Sequence, residues 1–233
     1  MRLDKLLTAL NIGSRTQVQG LIRRGAVAVN GAVQTDPAAQ VSGDVSVCGK
    51  DIDTRLERFL MMNKPAGVLT AAEDHKQKTV LDLLPGVYKT LGCMPVGRLD
   101  KDTTGLLLFT TDGTLAHRLI APKYEIWKTY IARVDSDLSP ADCEAFEKGI
   151  HFKDFDTLPA RLEILDGRTA KVMVSEGKFH QVKRMLHALG HEVLDLKRVA
   201  FGPIGLDENL APGEFRELSD KEKAELLSAA KME

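Results

Sequence analysis

Residues 95–110 read PVGRLDKDTTGLLLFT. The second half, from Leu106 to Thr110, is an apolar run of strand length. The first half is a polar loop that carries Asp100 and Asp102 beside Arg98 and Lys101 and ends in Thr103, Thr104 and Gly105. A loop anchored by a buried strand is able to hold a carboxylate beside a ligand. The plainer reading is an aspartate-rich turn whose carboxylates cap nearby backbone amides. A glycoside hydrolase using Asp100 and Asp102 as acid and base is a rival, but carboxylates two apart in sequence seldom span the roughly 5 to 9 Å such enzymes use.

The flanking segments give the fold class. Phe59 to Met62 reads as a buried strand closed by Asn63-Lys64-Pro65-Ala66-Gly67, and Thr79 as the cap of a short helix ending near Leu84-Pro85-Gly86. Downstream, Asp112-Gly113 turns the chain into a short helix through Leu119, and strands are expected over 129–134, 160–165 and 169–174. Helices are expected from Ser139-Pro140 to Gly149, over 178–189 before Gly190, and over 219–230 with Ser219 and Glu222 as a capping box. Strands and helices do not alternate regularly, so the expected class is α+β. No strand leads into a glycine loop of Walker or Rossmann spacing, so no nucleotide cofactor is expected.

The first thirty residues read differently. Leu3, Leu6, Leu7 and Leu10 form one helical stripe, Ser14 is a good N-cap for a second helix with Val18, Leu21 and Ile22 inward, and Gly25 stops it. Asn30-Gly31 between short apolar runs is a tight hairpin turn. Arg2, Lys5, Arg15, Arg23 and Arg24 stand against Asp4 alone, a local basic patch in a chain whose formal charge is −1. On charge alone the patch is equally well a solvated helical face. Two short helices and a hairpin with basic residues on the helices resemble the S4-type RNA-binding domain, over residues 1–50. A polar stretch, 51–58, is the expected linker, and 59–233 the second domain.

With 233 residues, 43% hydrophobic and 28% charged, the chain has material for a core and is not a disordered or collagen-like sequence. Its apolar runs are far shorter than the roughly 18 residues of a spanning helix, so no membrane association is expected. Arg2, Asp4 and Lys5 mix signs with no apolar leader core after them, which makes a cytoplasmic location the expectation. Cys48, Cys93 and Cys143 are widely spaced, and reduced thiols are expected. His187 and His191 have the spacing of a metal pair, but Gly190 interrupts them and no third ligand is evident, so no metal site is expected. The last twenty residues, with Glu214, Glu217, Asp220, Glu222, Glu225 and Glu233 exceeding the basic residues, read as a solvated acidic helix facing away from RNA. A monomer is the default expectation.

Gly97-Arg98-Leu99-Asp100 followed by Thr103-Thr104-Gly105-Leu106 resembles the signature of the RsuA family of RNA pseudouridine synthases. Asn63 to Gly67, Lys128-Thr129-Tyr130 and Glu176-Gly177-Lys178-Phe179-His180-Gln181-Val182-Lys183-Arg184-Met185 match further family segments in the family's order, over residues 1 to about 215. The resemblance implies a mixed, mainly antiparallel catalytic sheet behind the S4-like module. It implies isomerisation of a uridine in ribosomal RNA, most similar by compact length to the small-subunit (16S) enzyme, with large-subunit enzymes and a non-catalytic ribosome-associated RNA binder as alternatives. Ribosomal RNA or a partly assembled subunit is the implied partner, and no cofactor is required.

The resemblance also assigns roles. Asp100 matches the essential aspartate, nucleophile or base; Tyr130 matches the tyrosine that faces the flipped base, although an isolated strand tyrosine is commonly just half-buried sheet. A basic residue after His-Gln-Val keeps the aspartate ionised, either Lys183 or Arg184, since helix neighbours point about 100° apart. Met185 or Leu186 is the expected apolar floor, Arg98 a phosphate or base contact, Asp102 a loop-shaping residue, and Lys178 and His180, with Lys183, Arg184, His187 and His191, a second RNA-facing surface.

Overall fold

The computed structural model describes residues 1–232; Glu233 of the acidic tail lies outside the described residues. The chain divides into two compact units, residues 1–58 together with 84–93, and residues 59–83 together with 94 onward.

In the first unit, α1 (Leu3–Ala9) and α2 (Arg15–Arg23) lie with a four-stranded antiparallel sheet of β1 (Val27–Val29), β2 (Ala32–Val33), β3 (Val45–Val47) and β4 (Lys50–Ile52), ordered β2-β1-β3-β4. Leu3, Leu6, Leu7, Leu10, Val18 and Ile22 meet Val27 and Val45 in one core, as the leucine stripe requires. Ser14 and Gln17 close a capping box, and Asn30 (φ 51°) with Gly31 (φ 79°) make the hairpin turn. The linker at 51–58 needs correction: Asp51 and Ile52 belong to β4, turned from β3 by Cys48 and Gly49, both at positive φ. Asp53 then accepts hydrogen bonds from Arg55 and from the buried Arg58 (2.7 Å), so the stretch folds on itself through its own charges. Helix α3 (Gly86–Thr90), followed by Leu91 against this core, belongs to the same unit although nothing local in the sequence announces it.

The second unit is built on a nine-stranded sheet. Its strands are β5 (Phe59–Lys64), β6 (Met94–Pro95), β7 (Thr104–Thr110), β8 (Lys128–Val134), β9 (Arg161–Asp166), β10 (Thr169–Val174), β11 (Val193–Phe201), β12 (Ile204–Gly205) and β13 (Phe215–Glu217). The order is β13-β5-β7-β11-β8-β10-β9, with β12 on β11 and β6 on β7; among the described residues only β7 and β11 pair in parallel. Helices α4 (Gly113–Ile120), α5 (Pro140–Lys148), α6 (Gln181–Ala188) and α7 (Asp220–Ala229) complete the α+β unit.

Two apolar clusters back the sheet, one on each side of the β7–β11 pair. Phe59, Met61, Leu106 and Leu108 pack with Leu115 and Leu119 of α4 and Leu226 of α7. Ala132, Val134, Val172 and Val174 pack with Phe146 of α5 and Val182, Met185 and Leu186 of α6. Helix α7 is therefore not simply solvated: Leu226 and Ala230 are buried, and Arg216 joins Glu222 in a bidentate pair while its Nε holds Asp207 at 2.7 Å.

Two elements differ from the sequence pattern. Strand β11 has no apolar alternation because Asp195, Lys197 and Arg198 interrupt it, yet it lies at the centre of the sheet. Helix α6 starts at Gln181 rather than Lys178, since His180 adopts a left-handed φ of 50° and cannot continue a helix backwards.

Gly105 (φ 94°) opposes Arg198 in the parallel pairing, and a Cβ there would overlap the Arg198 carbonyl oxygen and nitrogen. Gly105→Ala is expected to lower stability by about 3 kcal/mol or more, measured by urea unfolding, because steric overlap adds to backbone strain. Arg216 holds the Glu222 carboxyl down at about 2, from 4.5. A depressed carboxyl stabilises the fold above its unfolded pKa and loses that contribution as pH falls through the folded one. The stability gap between wild type and Glu222→Gln should thus be full above pH 4.5 and vanish as pH falls towards 2, in acid titrations followed by circular dichroism.

Candidate active site

The loop that carries Asp100 is pinned from below. Lys64, at the end of β5 and fully buried, donates its ammonium to the carbonyls of Pro65 (3.0 Å), Lys101 (3.2 Å) and Thr103 (3.0 Å). Thr70 donates its hydroxyl to the Leu99 carbonyl at 2.8 Å and accepts from the Leu99 amide at 3.2 Å; the Gly67 amide donates to Lys101. The carbonyls that the loop turns inward thus have donors. Burial pushes the Lys64 pKa down to about 8, with the charges of Asp102 and Asp100 opposing the shift.

Asp100 does not behave as a local turn cap. Its Oδ2 lies 3.5 Å from the Lys183 ammonium and its Oδ1 3.5 Å from His180 Nε2. Lys183 also touches Asp102 at 2.5 Å, and this ion pair draws the Asp102 carboxyl below its usual range. Asp102 therefore shares the ammonium with Asp100 in addition to shaping the loop. Arg184 turns the other way, to a bidentate pair with Asp154 (2.6 and 2.9 Å) beneath the rings of Phe152 and Phe155. The choice between the two basic neighbours follows the helix: Val182, Met185 and Leu186 face the core, which sends Lys183 and Arg184 to opposite edges.

Asp100, Arg98, Tyr130, Lys178, His180 and Lys183 line one small cavity. Its apolar wall is Leu99, Val174, Val182 and Leu196, not Met185 or Leu186, which are fully buried in the core behind α6. A larger cavity of about 730 Å³ shares Arg98, Asp100, Tyr130, Lys178 and His180 and adds Thr70, Lys128, Phe179, Arg198 and Phe201. Its volume falls within the range of sites that hold drug-sized ligands. His187 pairs with Glu192, while the buried His191 bonds Ser136 at 2.7 Å and lies 3.3 Å from Asp142. The two rings thus have separate partners, and burial takes His191 off the second RNA-facing surface.

The basic residues of the first unit sort similarly. Lys5, Arg15, Arg23 and Arg24 are exposed, and Lys5 and Arg15 border one groove with Thr8 and Thr90. Arg2 is engaged in a bidentate pair with the buried Asp4.

Several site residues carry no individual role in the sequence reading: Lys64, Lys128, Glu176, Leu196 and Arg198. Arg198 is buried, donates Nε to the Leu106 carbonyl at 2.7 Å and stands over Phe201. Lys128, also buried, donates to the Ser175 carbonyl at 3.3 Å; burial, then the charge of Arg198, bring its pKa down to about 8. Buried Glu176 accepts from the Leu158 amide and from Gln181 Nε2. A lone cation at the end of an apolar strand, as at Lys64, is the signal that finds such groups, because burial of a charge requires dedicated partners. The arrangement offers a carboxylate with two cationic or polar neighbours, an aromatic hydroxyl and an apolar wall, in a cleft that Arg98 and Lys178 also line.

Known proteins resemble this chain over nearly its whole length. Residues 58–188 match the family model described as RNA pseudouridylate synthase, and residues 1–47 match the S4 domain. An RNA pseudouridine synthase of Bacillus subtilis is 44% identical, with 95% of this chain and 96% of the relative covered. A protein of Vibrio cholerae named ribosomal small subunit pseudouridine synthase A is 39% identical (97% and 99% covered), and one of Bacillus subtilis named ribosomal large subunit pseudouridine synthase B is 36% identical (98% and 94%). A crystal structure of a pseudouridylate synthase superposes with a TM-score of 0.69 at 34% identity, covering 97% of this chain and 99% of that one.

Lys64→Met removes the ammonium donor from three inward carbonyls, of which that of Lys101 keeps the Gly67 amide. It is expected to lower stability by about 2 to 4 kcal/mol in urea titration, with the net cost set by carbonyl desolvation against relief of the buried charge.

Proposed function

Because this chain belongs to the RNA pseudouridylate synthase family and carries an S4 domain, we propose that it isomerises a single uridine of small-subunit ribosomal RNA to pseudouridine. The observation that carries the site assignment is the Asp100 carboxylate, 3.5 Å from both Lys183 and His180 in a cavity that Tyr130 and Leu196 also line.

The reaction breaks the bond between uracil N1 and ribose C1′ and forms one from C1′ to C5, with the C5 hydrogen leaving as a proton and N1 gaining one. A base stacked in RNA is inaccessible to a carboxylate in a cleft, so the target nucleotide must be extruded. Leu196, Val182 and Val174 supply an apolar surface for the uracil, and Tyr130 a ring to lie against and a hydroxyl near the C5 proton. Asp100 acts at the sugar, either adding to C1′ or removing a ribose proton, with the Lys183 ammonium 3.5 Å from its carboxylate. Arg98 and Lys178, exposed at the rim, suit backbone phosphates. Exposed Lys5, Arg15, Arg23 and Arg24 give the S4 unit a sequence-independent grip on RNA. The small-subunit target is supported by the Vibrio cholerae relative and the similar length of the two proteins.

Release of tritium from RNA labelled at uracil C5 tests the reading, with 16S and 23S RNA offered both naked and as partly assembled subunits. Wild type should release tritium from the small-subunit substrate alone, and Asp100→Asn should be slower by roughly 10²- to 10⁴-fold or more. Release from 23S substrates instead would assign the large subunit, and none from any substrate would refute the reaction.

A further inference from the structure

Phe179 is 67% exposed, and among the described residues it is the sole aromatic side chain among the large exposed hydrophobics. Single exposed apolar residues are ordinary, so exposure alone argues little. Its setting argues more. The phenyl ring lies against the His180 imidazole with centroids 3.8 Å apart and planes 18° from parallel, and the same imidazole reaches 3.5 Å to Asp100. The backbone beneath is fixed: His180 holds a left-handed φ of 50°, the Gln181 side chain accepts from the Lys178 amide at 3.0 Å and donates to buried Glu176 at 2.9 Å. The ring is therefore presented on a rigid support, and little ordering is required of it on binding.

Position decides what it meets. Phe179 lines the larger cavity but not the small one, which Val182, Lys183 and Leu196 line; Asp100 and Tyr130 border both. A flipped uracil set against Asp100 and Tyr130 would leave the exposed face of the phenyl to the next base of the strand. Exposed Lys178 beside it and Arg98 on the same cavity supply positive charge for the connecting phosphate. An exposed aromatic face flanked by cations is the arrangement that binds single-stranded bases without reading their identity.

We propose that Phe179, backed by His180, is the stacking site for the nucleobase adjoining the extruded uridine, a reading that rests on the reaction proposed above. The full chain is tested as wild type, Phe179→Leu and Phe179→Trp in tritium release from the responsive ribosomal substrate. Loss of one stacked base should lower kcat/KM for Phe179→Leu by about 5- to 150-fold, while Phe179→Trp stays within about threefold of wild type. In Phe179→Trp the added indole fluorescence, taken as the difference from wild type with its Trp127, should be quenched by the same RNA. Urea midpoints equal to wild type separate this from misfolding. A Phe179→Leu enzyme as active as wild type, or an indole signal indifferent to RNA, would overturn the stack. Failure of wild type itself to release tritium would instead refute the reaction, and the quench would still report the stack.

Discussion

The site depends on the parallel pairing of β7 with β11. This seam is short, registered by Thr104 against Lys197 and Gly105 against Arg198, and it joins the part of the sheet that leads into α4 and α7 to the part that carries α5 and α6. The Asp100 loop enters β7 on one side of it. Tyr130, Lys183 and Leu196 stand on the other. The missing side chain at Gly105 lets the two backbones meet, and Arg198 closes the seam by donating to Leu106. A methyl group at Gly105 would overlap the Arg198 backbone, so the close approach of the two strands requires glycine there.

Charge balance is the second constraint. Lys64, Lys128 and Arg198 are buried within the same unit as Asp100, Asp102 and Glu176. Each buried cation loses hydration and is stabilised mainly by backbone carbonyls, which hold position without neutralising charge. The two lysines accordingly have depressed pKa values while remaining largely protonated near neutrality. Of these six groups the buried ones are the three cations and Glu176, in a chain whose formal charge is −1. The acidic excess is spent elsewhere, in closed pairs such as Asp4 with Arg2, Asp154 with Arg184 and Glu222 with Arg216.

Local elements with strong signals were legible. The leucine stripe of α1, the Ser14 and Ser219 capping boxes, the Asn30-Gly31 turn and the strand at 169–174 are all present, because each is decided by contacts within a few residues. Strand β11 was not legible. Its charged residues are those of a loop, and only burial between β7 and β8 makes them a strand. Helix α6 begins three residues later than the pattern predicts for a related reason: the Lys178 amide and carbonyl are both bound to Gln181, in a turn that borders the cavity.

The sequence by itself determined the chemistry on offer: Asp100 after Gly-Arg-Leu, a tyrosine on the following strand, a basic pair after His-Gln-Val, and a small basic module ahead of them. Residue type and spacing suffice there, since side-chain chemistry is a local property. Only the tertiary structure decided which groups meet. It directed Lys183 to Asp100 and Asp102 and Arg184 to Asp154, gave the apolar wall to Leu196 and Val182 while sealing Met185 and Leu186 in the core, and buried Lys64 beneath the loop. These outcomes depend on helix phase and strand register between residues up to about a hundred positions apart, and no local pattern encodes a distance of that kind.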